Sequence, residues 1–178
     1  MLLKIVSFEG IHGRKLMDLY QEGNIENAEF FYPDMEDRAL ALQKCEEDFL
    51  EFVRTKFFRR EGSEYWILEE GGVWVSALRL NRIEAGHYYI EALETHPEYR
   101  EKGYATRLLG GVIENLKSRG PFRLSDCVSK KNEPSVRTHR KCGFAIVPGA
   151  AVDYLNHETS EKSYGMEYRF PDEGGSLE

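Results

Sequence analysis

Arg100-Glu101-Lys102-Gly103-Tyr104-Ala105-Thr106 joins two patterns of different period. Ahead of it, a β-type run ends near Thr95; behind it, Leu108, Leu109, Val112, Ile113 and Leu116 recur at helical spacing. A strand, a tight basic turn with a glycine, and a helix N-terminus make an anion-binding device. The first-turn N–H groups have no acceptor inside the helix, and the helix dipole favours negative charge there. Gly103 lets a ligand approach the backbone with no Cβ in the way, and Arg100 and Lys102 bring positive charge to the mouth. The same residues also read as an ordinary strand-to-helix turn with solvated charges, and the stretch alone does not separate the two.

Working outward, Tyr65–Glu69 and Val73–Leu80 flank Glu70-Gly71-Gly72 as a hairpin, and His87–Thr95 follows a polar turn as a third strand. These make an antiparallel meander that leads into the turn. The helix after Gly103 stops at Ser118-Arg119-Gly120-Pro121, and Phe122–Val128 is the next strand. Because it follows a crossover helix, it should run parallel to His87–Thr95. Asn132-Glu133-Pro134-Ser135 opens a shorter helix that Gly143 closes in a left-handed cap. Phe144–Val147 and Tyr164–Phe170 read as strands, with a polar loop at Asp153–Ser163 between them.

Upstream, Leu2–Phe8 reads as a strand and Arg14–Gln21 as a helix that Gly23-Asn24 would stop. A long amphipathic helix is expected from Asp34 to Phe58, with Asp34 and Asp37 at its start and Leu42, Cys45, Phe49, Phe52 and Val53 on one face. With no repeat, linker or low-complexity tract, residues 1–178 read as a single domain. Its tail from Pro171 is polar and expected to fray.

The 178 residues are enough for one well-buried α/β (α+β) domain, and 41% hydrophobic with 31% charged residues fits a globular chain. A net charge of −7 argues against nucleic acid and anionic membrane as partners, and no apolar run approaches a membrane helix. Cys45, Cys127 and Cys142 are odd in number and widely spaced, so a reducing, cytoplasmic setting is expected. The histidines lack metal-ligand spacing, so no metal is expected.

Two blocks together resemble the GNAT family of acyl-CoA-dependent N-acyltransferases. Leu93-Glu94-Thr95-His96-Pro97-Glu98-Tyr99-Arg100-Glu101-Lys102-Gly103-Tyr104-Ala105 is similar to its strand-plus-loop signature, whose R/Q-x-x-G-x-G/A turn holds the pyrophosphate of coenzyme A. Asn132 to Phe144 is similar to its N-x-x-(A/S)-…-x-K-x-G-F helix beside the pantetheine arm. The resemblance is clear over Tyr65–Phe170. It implies a mixed, mostly antiparallel sheet that splays between His87–Thr95 and Phe122–Val128 at the cofactor site. It further implies that the backbone of Leu93, Glu94 and Thr95 pairs with the pantetheine amides. The N–H groups of Arg100, Glu101, Lys102, Gly103, Tyr104 and Ala105 would then carry the pyrophosphate. Asn132 would contribute a side-chain hydrogen bond, and Thr106 is a further candidate hydroxyl donor.

The implied reaction is transfer of an acetyl or small acyl group from acetyl-CoA to a primary amine, by direct attack in a ternary complex. The acceptor is a small molecule or a protein amine, and the family allows a homodimer. The amine must be neutral, the oxyanion needs a donor, and the leaving thiolate needs a proton. A backbone N–H at Leu93 is the natural oxyanion donor. Strand parity puts Tyr89, Glu91, Leu93 and Thr95 on one face, which makes Glu91 the first candidate base; a bulge would promote Glu94 instead. His139 stands where many members have a tyrosine acting as general acid; it fits that role or a structural replacement. The intact loop also fits an acyl-CoA-binding module or sensor with little turnover.

Overall fold

The structure is a computed structural model that describes residues 1–171; the expected frayed tail lies, from 172 on, outside the described residues. Its centre is a seven-stranded sheet in the order β1-β2-β3-β4-β5-β9-β6. The strands are β1 (Leu2–Ile5), β2 (Glu64–Glu70), β3 (Val73–Glu84), β4 (His87–Thr95), β5 (Phe122–Ser129), β6 (Ala145–Val147) and β9 (Ser163–Phe170). Every neighbouring pair is antiparallel except β4 and β5, which run parallel because the helix α4 (Tyr104–Lys117) carries the chain back between them. The loop expected at Asp153–Ser163 overlaps a small hairpin of β7 (Ala151–Val152) and β8 (Thr159–Ser160).

Each sheet face is buried by a different set of helices. On one face, Leu78, Leu80 and Ile90 pack with the α4 stripe of Leu108, Leu109, Val112, Ile113 and Leu116, all buried. Each such side chain contributes about 1.5–3 kcal/mol over remaining exposed. That face is continued by α5 (Glu133–Lys141), whose Val136 packs on the same cluster. On the other face, Tyr65, Ile67 and Ala77 meet Leu16 and Leu19 of α1 (Gly13–Leu19) and Val53 of α3 (Arg38–Thr55). No helix among the described residues is long and apolar enough to cross a membrane.

The N-terminal helices depart from the expected boundaries. Gly23-Asn24 does not stop a helix: α2 (Gln21–Phe31) runs through both, and the break falls instead at Tyr20. Asn24 is buried, with Nδ2 donating to Met17 Sδ at 3.5 Å, so tertiary contact outweighs its turn preference. The long helix starts at Arg38 rather than Asp34, because Asp37 Oδ1 accepts from the N–H groups of Ala39 (3.0 Å) and Leu40 (3.1 Å). It ends at Thr55, and Phe57–Arg59 forms a separate 3-10 turn.

Two features of β4 shape the centre of the molecule. Only His87, Tyr88 and Tyr89 pair with β5, opposite Arg123, Leu124 and Ser125; past them the strands part. There β4 stays on β3 out to Thr95, and β5 stays on β9 out to Ser129. The second feature is a bulge. Glu91 faces Arg79 and Glu94 faces Ala77, leaving Leu78 opposite both Ala92 and Leu93. Ala92 has φ 52°, left-handed for a residue with a Cβ.

Candidate active site

The turn after β4 is built to present amides. A 3-10 turn at Pro97–Tyr99 is capped by His96, whose Nδ1 accepts from Glu98 N at 3.2 Å. Glu101 (φ 62°) and Gly103 (φ 79°) are left-handed on either side of Lys102, and Gly103 is the N-cap of α4. The first helical amide with a backbone acceptor is Arg107, which donates to Gly103 O at 3.0 Å. Among the described residues, the consecutive N–H groups of Glu101, Lys102, Gly103, Tyr104, Ala105 and Thr106 find no hydrogen-bond acceptor. A Cβ at Gly103 would meet nothing within 4 Å, so it is the left-handed φ rather than crowding that calls for glycine there. Such a row of amides at a helix start binds anions.

The basic side chains of the turn look elsewhere. Arg100 pairs with Glu22 on α2 (2.6 Å) and Glu94 on β4 (3.2 Å), and Lys102 Nζ donates to Glu98 O (2.9 Å). His96 Nε2 sits 3.4 Å from Asp18 of α1. The turn is thereby tied to the α1–α2 side of the sheet.

Strand parity predicted Tyr89, Glu91, Leu93 and Thr95 on one face, and the bulge changes that. Glu91 and Glu94 now share a face, because their partners Arg79 and Ala77 do. Leu93 instead packs toward the α4 cluster, and Thr95 lies opposite Ser76. Glu94 Oε1 accepts from both Arg100 and the Thr95 N–H (3.1 Å), and its carbonyl accepts from Ser76 Oγ (2.8 Å). Of the two carboxylates, Glu94 is thus the one bound up in the turn.

Glu91 is held differently. Its Oε1 lies 2.7 Å from Arg79 Nε, both side chains largely buried. The Arg79 guanidinium lies over the rings of Phe52 (5.0 Å), Phe49 (5.6 Å) and Phe57 (5.9 Å). The Phe stripe of α3 is therefore core, and it cages the arginine that holds Glu91. Sequence reading passes over Arg79, although it is the one charged residue within Val73–Leu80, which was a usable signal.

His139 lies at the root of the parting. It is fully buried, with Nε2 2.8 Å from Asp126 Oδ2 of β5 and Nδ1 2.8 Å from Ser135 O, and its ring meets Phe144 edge-on. Burial alone would push the imidazole toward neutrality. The Asp126 carboxylate and the Ser135 carbonyl outweigh it, and His139 titrates above its ordinary value. Both ring nitrogens are engaged inside the protein, joining α5 to β5. Asn132, four residues before Val136, caps α5: its Oδ1 accepts from Ser135 N at 3.2 Å, which leaves the amide to donate outward. Thr106 is half-buried, and its carbonyl receives Cys142 Sγ at 3.7 Å.

A second buried histidine does no acid–base work. His87 Nδ1 faces Arg123 Nη2 at 2.9 Å, and Nε2 faces Ser125 Oγ at 3.0 Å. Desolvation, with Arg123 and Arg169 nearby, lowers its pKa to about 4. Because Nδ1 accepts a hydrogen bond from Arg123, Nε2 carries the ring proton and donates to Ser125, so it cannot activate that serine. A groove of about 510 Å³ between α1 and α3 is lined by Arg14, Asp18, Gln21, Glu46 and Glu47, among others.

Solved structures share this architecture. PaiA N-acetyltransferase from Thermoplasma acidophilum, in complex with coenzyme A, is 15% identical with a TM-score of 0.63, over 95% of this chain and 99% of that one. YncA from Salmonella typhimurium, with its cofactor acetyl-CoA, is 15% identical with a TM-score of 0.59, over 100% and 97%. The IAA acetyltransferase from Bacillus cereus is 16% identical with a TM-score of 0.60, over 95% and 98%. At these identities the likeness is one of fold. The model of the acetyltransferase (GNAT) family matches residues 16–144, well over half of the chain, and the chain belongs to that family.

Proposed function

We propose that residues 1–178 form one N-acetyltransferase domain that moves an acetyl group from acetyl-CoA to the primary amine of a small molecule or protein. The observation that carries this reading is the row of amides from Glu101 to Thr106 at the end of a strand that parts from its neighbour. The row suits a diphosphate, and the parted strands offer main-chain groups to the amides of a pantetheine arm. The Thr106 hydroxyl and the Asn132 amide are further donors along that path.

The amine nitrogen attacks the thioester carbon, the C–S bond breaks, and the amine proton leaves for a base. Glu91 is the base in this reading, acting directly or through a water held by Oε2, since Oε1 belongs to Arg79. The Leu93 N–H, at the bulge, is the oxyanion donor. His139 had been a candidate acid for the leaving thiolate. Its complete burial and its two internal partners support a structural role instead, with solvent protonating the thiolate.

One observation favours a second reading. The pairing of Glu91 with Arg79 would suit a module that binds acyl-CoA with little turnover. Thermal unfolding with coenzyme A, followed by thiol release from acetyl-CoA with a pooled amine library, separates the two. At about 100 times its Kd the ligand should add roughly 2.7 kcal/mol of stability. Stabilisation with release supports the enzyme, stabilisation without it the module, and neither overturns both.

A further inference from the structure

Tyr20 stands at the break between α1 and α2, and its ring is buried against Phe49 with centroids 5.2 Å apart. Its hydroxyl reaches across to the sheet and donates to the carbonyl of Ala92 at 2.7 Å. Ala92 is the left-handed residue of the β4 bulge, and that carbonyl belongs to the same peptide unit as the Leu93 N–H. A trans peptide is planar, with its C=O and N–H pointing in opposite directions, so fixing one fixes the other.

We propose that Tyr20 is a positioning residue: by clamping the Ala92 carbonyl it aims the Leu93 N–H as the oxyanion donor. This rests on the acetyl-transfer reading above. The left-handed turn at Ala92 costs free energy in a residue with a Cβ, and a buried hydrogen bond of this length offsets it. Burial, with the Tyr65 hydroxyl alongside, pushes the Tyr20 phenol well above its ordinary value, so it remains a donor at any working pH. The clamp pulls the carbonyl toward the α1–α3 face, while the Leu93 side chain packs toward the opposite face. An acceptor of the Tyr20 bond is therefore the one peptide that the mechanism needs in a fixed orientation.

The test is Tyr20→Phe, which removes the hydroxyl and keeps the ring on Phe49. Losing an oxyanion donor outright costs roughly 100–1,000-fold in kcat, so loosening one should cost about 10-fold, with the KM for acetyl-CoA within about twofold. A carbonyl-labelled S-acetonyl-CoA supplies a direct readout: its 13C signal should move downfield on binding to the wild type and lose most of that shift in Tyr20→Phe. Val53→Ala, in the same apolar cluster and fully buried, is the control for lost stability alone. It should keep both kcat and the carbonyl shift. The proposal is overturned if Tyr20→Phe turns over at the wild-type rate, if its carbonyl signal stays where the wild type puts it, or if Val53→Ala loses as much kcat. If the wild type itself neither binds coenzyme A nor releases thiol, it is the acetyl-transfer reading that fails.

Discussion

Asp126→Asn should destabilise the chain in a pH-dependent way. The substitution keeps the shape of the side chain and removes the charge that faces a fully buried imidazole 2.8 Å away. In the wild type the folded pKa of His139 is raised above its unfolded value of about 6.5. The stability this supplies is fully present below that unfolded value and is lost as pH rises through the folded one. In the variant only the Ser135 carbonyl still opposes burial, so the folded pKa falls and protonation no longer adds that stability. The gap between the two proteins is thus widest near pH 6. Breaking a buried pair from one side costs about 3–5 kcal/mol, and at about 2–4 °C per kcal/mol for a chain of this size the melting point should drop on the order of 10 °C. By pH 9 much of that gap should close. Urea unfolding of both proteins from pH 5.5 to 9 measures it. A gap of constant size across that range would refute the pairing of a charged His139 with Asp126.

Three further outcomes are expected. Glu91→Gln should lower kcat/KM for acetyl transfer by about 100-fold while coenzyme A still raises the melting point, read by thiol release and thermal unfolding. It should also cost about 1.5–3 kcal/mol in urea, since Arg79 is left in its aromatic cage without a counter-charge. Glu101→Gly should leave stability unchanged or up to about 1 kcal/mol higher, because the left-handed strain at φ 62° offsets the entropy cost of glycine. With one negative charge gone from beside the row of amides, coenzyme A should bind about twofold tighter by calorimetry at low salt. Gly143→Ala should cost about 1–2 kcal/mol, since φ is 91° and the new Cβ would meet the Tyr168 ring at 3.2 Å. Denaturant unfolding checks it.

The parts of this molecule that local pattern could reveal are those whose cause is local. The hairpin at Gly71-Gly72, the amphipathic α4 and the glycine that opens it rest on residues a few positions apart. The parallel placement of β5 followed from the crossover rule, which needs only the order of elements. What escaped has a long-range cause. Asn24 sits inside a helix because Met17 receives its amide in a buried pocket, and nothing in Gly23-Asn24 announces that. The start of α3 turned on which of two aspartates, three residues apart, bonds the first amides. Leu93 and Thr95 were assigned by strict alternation, and one extra residue at Ala92 reversed them. Arg79 and Tyr20 became visible only when strand and helix were brought together, since each acts on a residue more than ten positions away. The place of His139 in its helix was legible, but only the fold brings Asp126 to it.

The parting of β4 from β5 leaves two strand edges facing each other inside a single sheet. Edges with unpaired main-chain groups are the usual starting points for unwanted pairing between molecules, and proteins ordinarily hide or charge them. Here they cannot be hidden if the pantetheine arm is to lie between them. An acyl-CoA bound there is at once a reactant and a protective strand, and a preparation kept with coenzyme A should resist heat-induced aggregation beyond what its added stability alone provides.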